Sequence, residues 1–165
     1  MARQHFTHKR LDGLHTVETL ASFQPDEAPR ANVDPITDER DLLALAALVL
    51  GPPLEHKTLV VILDDHRRGR SLITVTGTDD PDDVIEVAHF IRDAVDLAPR
   101  GAPPAIALVS VRPDAPVDPD DADRRDEIAQ ILGPVRLDEW LVLGEWITRV
   151  PATAVRSDSN AIPPL

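Results

Sequence analysis

The stretch from Ala105 to Asp123, AIALVSVRPDAPVDPDDAD, decides how this chain folds. Ala105 to Val111 is a short continuous apolar run bounded by Pro103-Pro104 and Pro113, a pattern that suits a strand covered on both faces. Arg112, Pro113 and Asp114 leave the carboxyl end of that strand. In open α/β sheets sites form there, because strand-end loops and helix N-termini converge. The chain then reads VDPDDADRRDEIAQILG. Asp118 caps a helix, Pro119 opens it, Ile128, Ile131 and Leu132 face inward, and Gly133 ends it.

The same grammar precedes the strand in TDDPDDVIEVAHFIRDAVDLA, with Asp80 as cap, Pro81 at the first helical position and Asp82 and Asp83 in the first turn. Val84, Val87, Ala88, Ile91, Ala94 and Val95 make its apolar stripe. Further upstream, KTLVVILDDHRRGRSLITVTG holds two β-rich runs around a charged, Gly-containing turn and predicts a hairpin. His66, Arg67, Arg68 and Arg70 are its compact basic cluster, suited to a solvated turn or to an acidic partner. TDERDLLALAALVLG predicts a buried helix carrying Leu42, Leu43, Leu45, Ala46, Leu48 and Val49, stopped at Gly51-Pro52-Pro53. Downstream, VRLDEWLVLGEWITRVPA predicts a strand pair or one bent strand broken at Gly144. Trp140 and Trp146 stand an even number apart, which would put them on one face as core or as an exposed partner-binding stripe.

The order helix, hairpin, helix, strand, helix, strands predicts an α/β domain of α+β-like character, with a single mixed β-sheet sandwiched by helices. Its expected span is 34–156. Residues 1–33 hold only scattered apolar positions and read as an arm that is mobile or lies on the surface, with a short helix around Thr16 to Phe23 compatible with its sequence, and 157–165 as a polar, proline-ended tail. His5, His8 and His15 in the arm read as surface histidines rather than a metal site, since no carboxylate is fixed beside them.

Composition narrows the function classes. Among 165 residues, 29 are acidic and 17 basic, a formal net charge of −12 that repels phosphate backbones, so nucleic acid is a poor partner. There is no cysteine, which excludes disulfides and thiolate metal sites. No apolar run approaches the ~18 residues of a membrane span, and MARQHFTHKR lacks the apolar core of a secretory signal. The expectation is a cytoplasmic protein away from membranes.

From roughly Leu54 to Thr148 the pattern resembles the JAB/MPN domain, most closely its RadC-like branch. LVVILDD, a turn and SLITV are similar to the family's opening strands, DPDDVIEVAHFIRDAV to its first conserved helix, and WLVLGE to the strand ending in Val-Gly. The resemblance implies a JAB/MPN-like, cytidine-deaminase-like architecture. The family signature is His-x-His-Pro, six residues, Ser, two residues, Asp. Here Pro113 keeps the proline, Ser110 and Arg112 stand at the two histidines, Asp120 at the serine and Asp123 at the aspartate. In active members two His and one Asp hold a zinc, an upstream Glu activates its water and the serine supports the oxyanion. Glu55 and His56 lie near the place of that Glu, out of register, and take no role. Arg112 puts a permanent cation where the dication would sit.

The resemblance therefore implies a degenerate site of Ser110, Arg112, Asp120 and Asp123, with no catalytic residue, no metal and no cofactor. The expected function is a non-catalytic interaction or scaffold module, acting on a protein partner or as a homo-oligomer. The alternative is a metal-dependent hydrolase using the Asp-rich loop 114–123, with Asp114, Asp118, Asp120, Asp121 and Asp123 favouring magnesium, calcium or manganese. An exposed apolar patch near Trp140 or Trp146 points to the first reading. An ion pair from Arg112 to Asp123 or Asp120 is expected to fill the old metal position.

Overall fold

The computed structural model describes residues 11–97, 103–115 and 118–152. The expected tail and the histidines His5 and His8 lie outside them. The elements run α1 (Thr16–Ser22), a 3₁₀ turn (Pro25–Glu27), α2 (Glu39–Val49), β1 (Lys57–Leu63), β2 (Gly69–Thr76), α3 (Asp83–Asp96), β3 (Ala105–Val111), α4 (Asp121–Leu132), β4 (Arg136–Leu143) and β5 (Ile147–Arg149). The strands form one mixed sheet in the order β2-β1-β3-β4-β5. β3 runs antiparallel to β1 and parallel to β4, so it is the central strand, flanked as its apolar run predicts.

All seven residues of β3 are buried, because alternate side chains enter two different cores. Ala105, Ala107, Val109 and Val111 face a cluster with Leu20, Phe23, Leu42 and Leu43, under α1 and α2. Ile106 and Leu108 face the other, with Val84, Val87 and Ile91 of α3, Ile128 and Leu132 of α4, and Trp140. The sheet thus lies between two helix layers. By the same parity Ser110 and Arg112 belong to the α3/α4 side, and this places the site described below. Among the described residues no helix is long and apolar enough to cross a membrane.

The hairpin forms as expected, and Asp64 organises its turn. The Asp64 Oδ1 accepts the amides of His66 and Arg68, and its Oδ2 accepts Arg68 Nε at 2.8 Å. Arg67 adopts positive φ, donates Nε to the Ile36 carbonyl and pairs through Nη1 with Asp138 at 2.8 Å. The basic cluster is therefore not a free patch, since two of its three arginines are engaged within the domain.

Three expectations need correction. Leu48 and Val49 of α2 are exposed, because the helix buries only the stripe of Leu42, Leu43, Ala44 and Ala46. Trp140 and Trp146 do not share a face: β4 ends at Leu143, the chain turns out of the sheet at Gly144, and Trp140 is fully buried while Trp146 is half exposed. Residues 11–33 are not a surface arm along their length. Leu11, Leu20 and Phe23 are buried in the α1/α2 core. Gly13 and Thr16 donate to the carbonyls of Ile147 and Glu145, and Ile147 donates back to Leu14. Leu11 N–H also bonds Glu39 Oε1 at 3.1 Å, which fastens the segment to α2.

Leu20→Ala is expected to cost about 2–5 kcal/mol, the range for emptying a buried leucine site, by denaturant unfolding of the full chain. A change within ~0.5 kcal/mol, as for a surface substitution, would show that the segment does not dock.

Candidate functional site

The site is built where β3 ends. Arg112 N–H donates to the Leu143 carbonyl at 2.8 Å, so the parallel pairing with β4 continues one residue past the strand, and Pro113 then turns the chain. Gly144 sits beneath this turn: a Cβ there would meet the Ala115 carbonyl oxygen at 3.0 Å and that of Arg112 at 3.5 Å. A side chain there would push the loop back by a few tenths of an ångström, so glycine suits this close approach.

The two DPDD segments adopt one local geometry. Asp80 Oδ1 accepts the Asp82 amide at 2.8 Å, and Asp118 Oδ1 accepts the Asp120 amide at 2.9 Å. The carbonyls of Asp80 and Asp118 take the amides of Asp83 and Asp121, at 3.0 and 3.2 Å. Each proline therefore lies in a lead-in turn, and the helices proper begin at Asp83 and Asp121, two residues after it. This shift selects the partner of Arg112.

Arg112 Nη1 donates to Asp121 Oδ2 at 2.8 Å, and each side chain is only 4% exposed. The partner is neither Asp123 nor Asp120; both of those are exposed. A residue in the first turn of α4 whose carboxylate turns back to the strand end occupies position 121, and 123 lies 200° further round the helix. The other oxygen, Asp121 Oδ1, accepts Arg124 Nη1 at 3.1 Å. Arg124 also reaches Asp118 Oδ2 at 3.1 Å and Asp82 Oδ1 at 2.7 Å, joining the two DPDD segments. Burial lowers the affinity of Arg124 for its proton, and its bonds to Asp82, Asp118 and Asp121 outweigh that and raise it. Asp118 is held below the usual carboxylate range by the Asp120 amide and then by Arg124.

The remaining walls are close-packed. Ser110 Oγ accepts Trp140 Nε1–H at 3.0 Å, and the Arg112 guanidinium carbon lies 5.9 Å from the Trp140 ring centroid. Thr58 and Thr78 bond each other through their hydroxyls at 3.1 Å. The space that Thr58, Thr78, Ser110 and Arg112 enclose has no room for a water molecule. The second guanidinium nitrogen of Arg112 has no hydrogen-bond partner there.

Ser110 and Arg112 both lie beside Trp140, and Asp120 and Asp123 are exposed. Within the Asp-rich loop Asp121 and Asp118 are taken by arginines and Asp114 is exposed. Among the described residues no three carboxylates or imidazoles are grouped to hold a metal ion. The Glu55 carboxylate is exposed and lies 3.8 Å from Lys57. Sequence reasoning missed Arg124 and Arg125. Arg125 is buried and donates Nη1 to the Val150 carbonyl at 2.6 Å and Nη2 to that of Leu137 at 3.3 Å, clamping α4 to both ends of the β4–β5 unit. The available signal was spacing: Arg125 stands three residues before Ile128 and seven before Leu132, on the stripe of α4 that faces inward.

Comparison with protein-family models and with curated proteins finds no match to this chain.

Arg112→Ala is expected to cost about 3–5 kcal/mol, because it leaves the Asp121 carboxylate buried without its main partner. The double variant Arg112→Met with Asp121→Leu should recover most of that loss. Equal losses in both would show that packing rather than charge pairing dominates. For Asp118→Asn the sign follows from the lowered pKa. The carboxylate's contribution is complete above its unfolded pKa of about 3.9 and is lost as pH falls through the lower folded value. The variant should be less stable than the parent at pH 6, and the two should converge as the solution is acidified below the ordinary aspartate range. A stability gap independent of pH would contradict the pairing with Arg124.

Proposed function

We propose that this chain is a non-catalytic domain of the JAB/MPN kind, nearest the RadC-like branch, serving as a protein-interaction or scaffold module. The observation that carries the reading is the Arg112–Asp121 pair. It sits after the central strand, at the turn where the resemblance puts two metal-binding histidines and their proline. A guanidinium already paired with a carboxylate, beside a space too tight for a water molecule, supports a position closed to a metal-bound hydroxide. The order of hairpin, helix, central strand, helix and parallel strand agrees with a JAB/MPN-like architecture. Gly144 supports it further, since the close approach over it gives the Val-Gly ending of that pattern a physical purpose. The half-exposed Trp146 adjoins the same strand ends and favours a protein partner, while the net charge of −12 opposes nucleic acid.

Zinc titration by calorimetry, with solution mass measured on the same preparation, tests this. The unmodified protein is expected to take up no zinc. Ser110→His with Arg112→His is expected to gain one site, with Asp121 freed as a third ligand. Tight one-to-one binding by the unmodified chain would overturn the non-catalytic reading, and no binding by a folded double variant would overturn the family resemblance.

A further inference from the structure

Beside the filled site, on the outer side of the β3 and β4 carboxyl ends, the docked N-terminal segment walls off an open crevice of about 850 Å³. Ligand sites span roughly 300–1,000 Å³, so its size is that of a binding site. Val17, Leu54, Pro113 and Trp146 supply apolar walls, and Asp114 and Glu145 supply carboxylates. No lysine or arginine is among the described residues that line it.

The aromatic wall is held in place. Trp146 is 50% exposed, and Val17 beside it 49%. The indole makes a T-shaped contact with His15, centroids 5.5 Å apart and planes at 88°. The backbone on either side is pinned by Thr16 N–H to the Glu145 carbonyl at 3.0 Å and by Ile147 N–H to that of Leu14 at 2.8 Å. An indole fixed half open does not need ordering when a partner arrives, which removes one cost of association. An indole and two carboxylates, with no lysine or arginine among the described lining residues to answer them, select a cation and repel an anion. The volume is far more than one cationic head group fills. The apolar walls must therefore be met by the cation's own neighbours.

We propose that this crevice binds a short segment of a partner protein presenting an arginine or lysine next to apolar residues. Trp146, Asp114 and Glu145 take the cation, and Val17, Leu54 and Pro113 take the flanking side chains. The inference rests on the interaction-module reading and adds the partner's chemistry to it.

The test uses the full chain and two fluorescently labelled blocked peptides, Pro-Leu-Arg-Leu-Pro and the same sequence with Glu for Arg, followed by polarisation. The Arg peptide is expected to bind saturably, and binding should weaken as salt rises. It should weaken at least about fivefold in Trp146→Ala and in Asp114→Asn with Glu145→Gln, an amount within the range for a cation–π contact or an exposed charge pair. The Glu peptide is expected not to bind. Equal binding of both peptides, no binding of either, or unchanged affinity in Trp146→Ala with Asp114→Asn and Glu145→Gln would overturn the proposal. Zinc titration of the same preparation separates the two failures. Absence of both peptide and zinc binding removes the crevice alone, whereas stoichiometric zinc removes the reading beneath it.

Discussion

A guanidinium and a carboxylate, each almost wholly buried, meet at 2.8 Å at the end of the central strand, and the positions of three elements depend on that contact. Arginine cannot shed its proton, so wherever Arg112 goes its charge must be met. The strand register sends it to the α3/α4 side of the sheet, where its neighbours are Trp140 and Ser110, which offer a ring face and a hydroxyl already used by the indole. Among the described residues Asp121 is the carboxylate that answers the charge directly. That requirement fixes where α4 begins, and hence the path of the loop from Pro113 to Asp120.

The constraint then spreads through one more arginine. Asp121 has two oxygens, and the second goes to Arg124, which also holds Asp118 and Asp82. α3 and α4 are thereby tied at their N-termini, as well as through the apolar contacts between them and the sheet. Arg125, the next residue, reaches the opposite side and binds carbonyls of β4 and of the residue after β5. Replacing a buried ion pair with apolar groups often costs little, so the stronger role of this network is to set the register of α4 against the sheet rather than to add stability. Two aspartate-rich runs in a chain of net charge −12 gather at one end of the fold, and Arg124, which stands between them, offsets part of their repulsion.

Much of this was legible in the sequence, and the parts that were not have physical causes. The central strand is readable because Ala105 to Val111 is apolar on both parities and fenced by prolines, a pattern that only a strand buried on both faces requires. The hairpin is readable from β-branched runs flanking a turn. The pairing of Arg112 was legible in kind and not in partner. Family spacing pointed to Asp123 or Asp120, whereas the Asx turn at Asp118 delays the helix to Asp121 and turns that carboxylate inward. The parity of Trp140 and Trp146 misleads because it holds only while the chain stays in the sheet, and Gly144 takes it out. Docking of residues 11–23 left no periodic signal. Leu11, Leu20 and Phe23 are too far apart for a stripe, and their burial is a tertiary event secured by backbone bonds to β5.

A site filled by its own side chains and an open, acid-lined crevice lie next to each other at this strand end. The most direct probe of the filled site is the side-chain ¹H–¹⁵N spectrum of Arg112. The guanidinium is predicted to give separate, slowly rotating Nη signals, protected from solvent exchange and unmoved by zinc or magnesium, because one Nη is bonded to Asp121 and the other is buried without a partner. A single averaged signal exchanging like free arginine, or one displaced by added metal, would contradict the account.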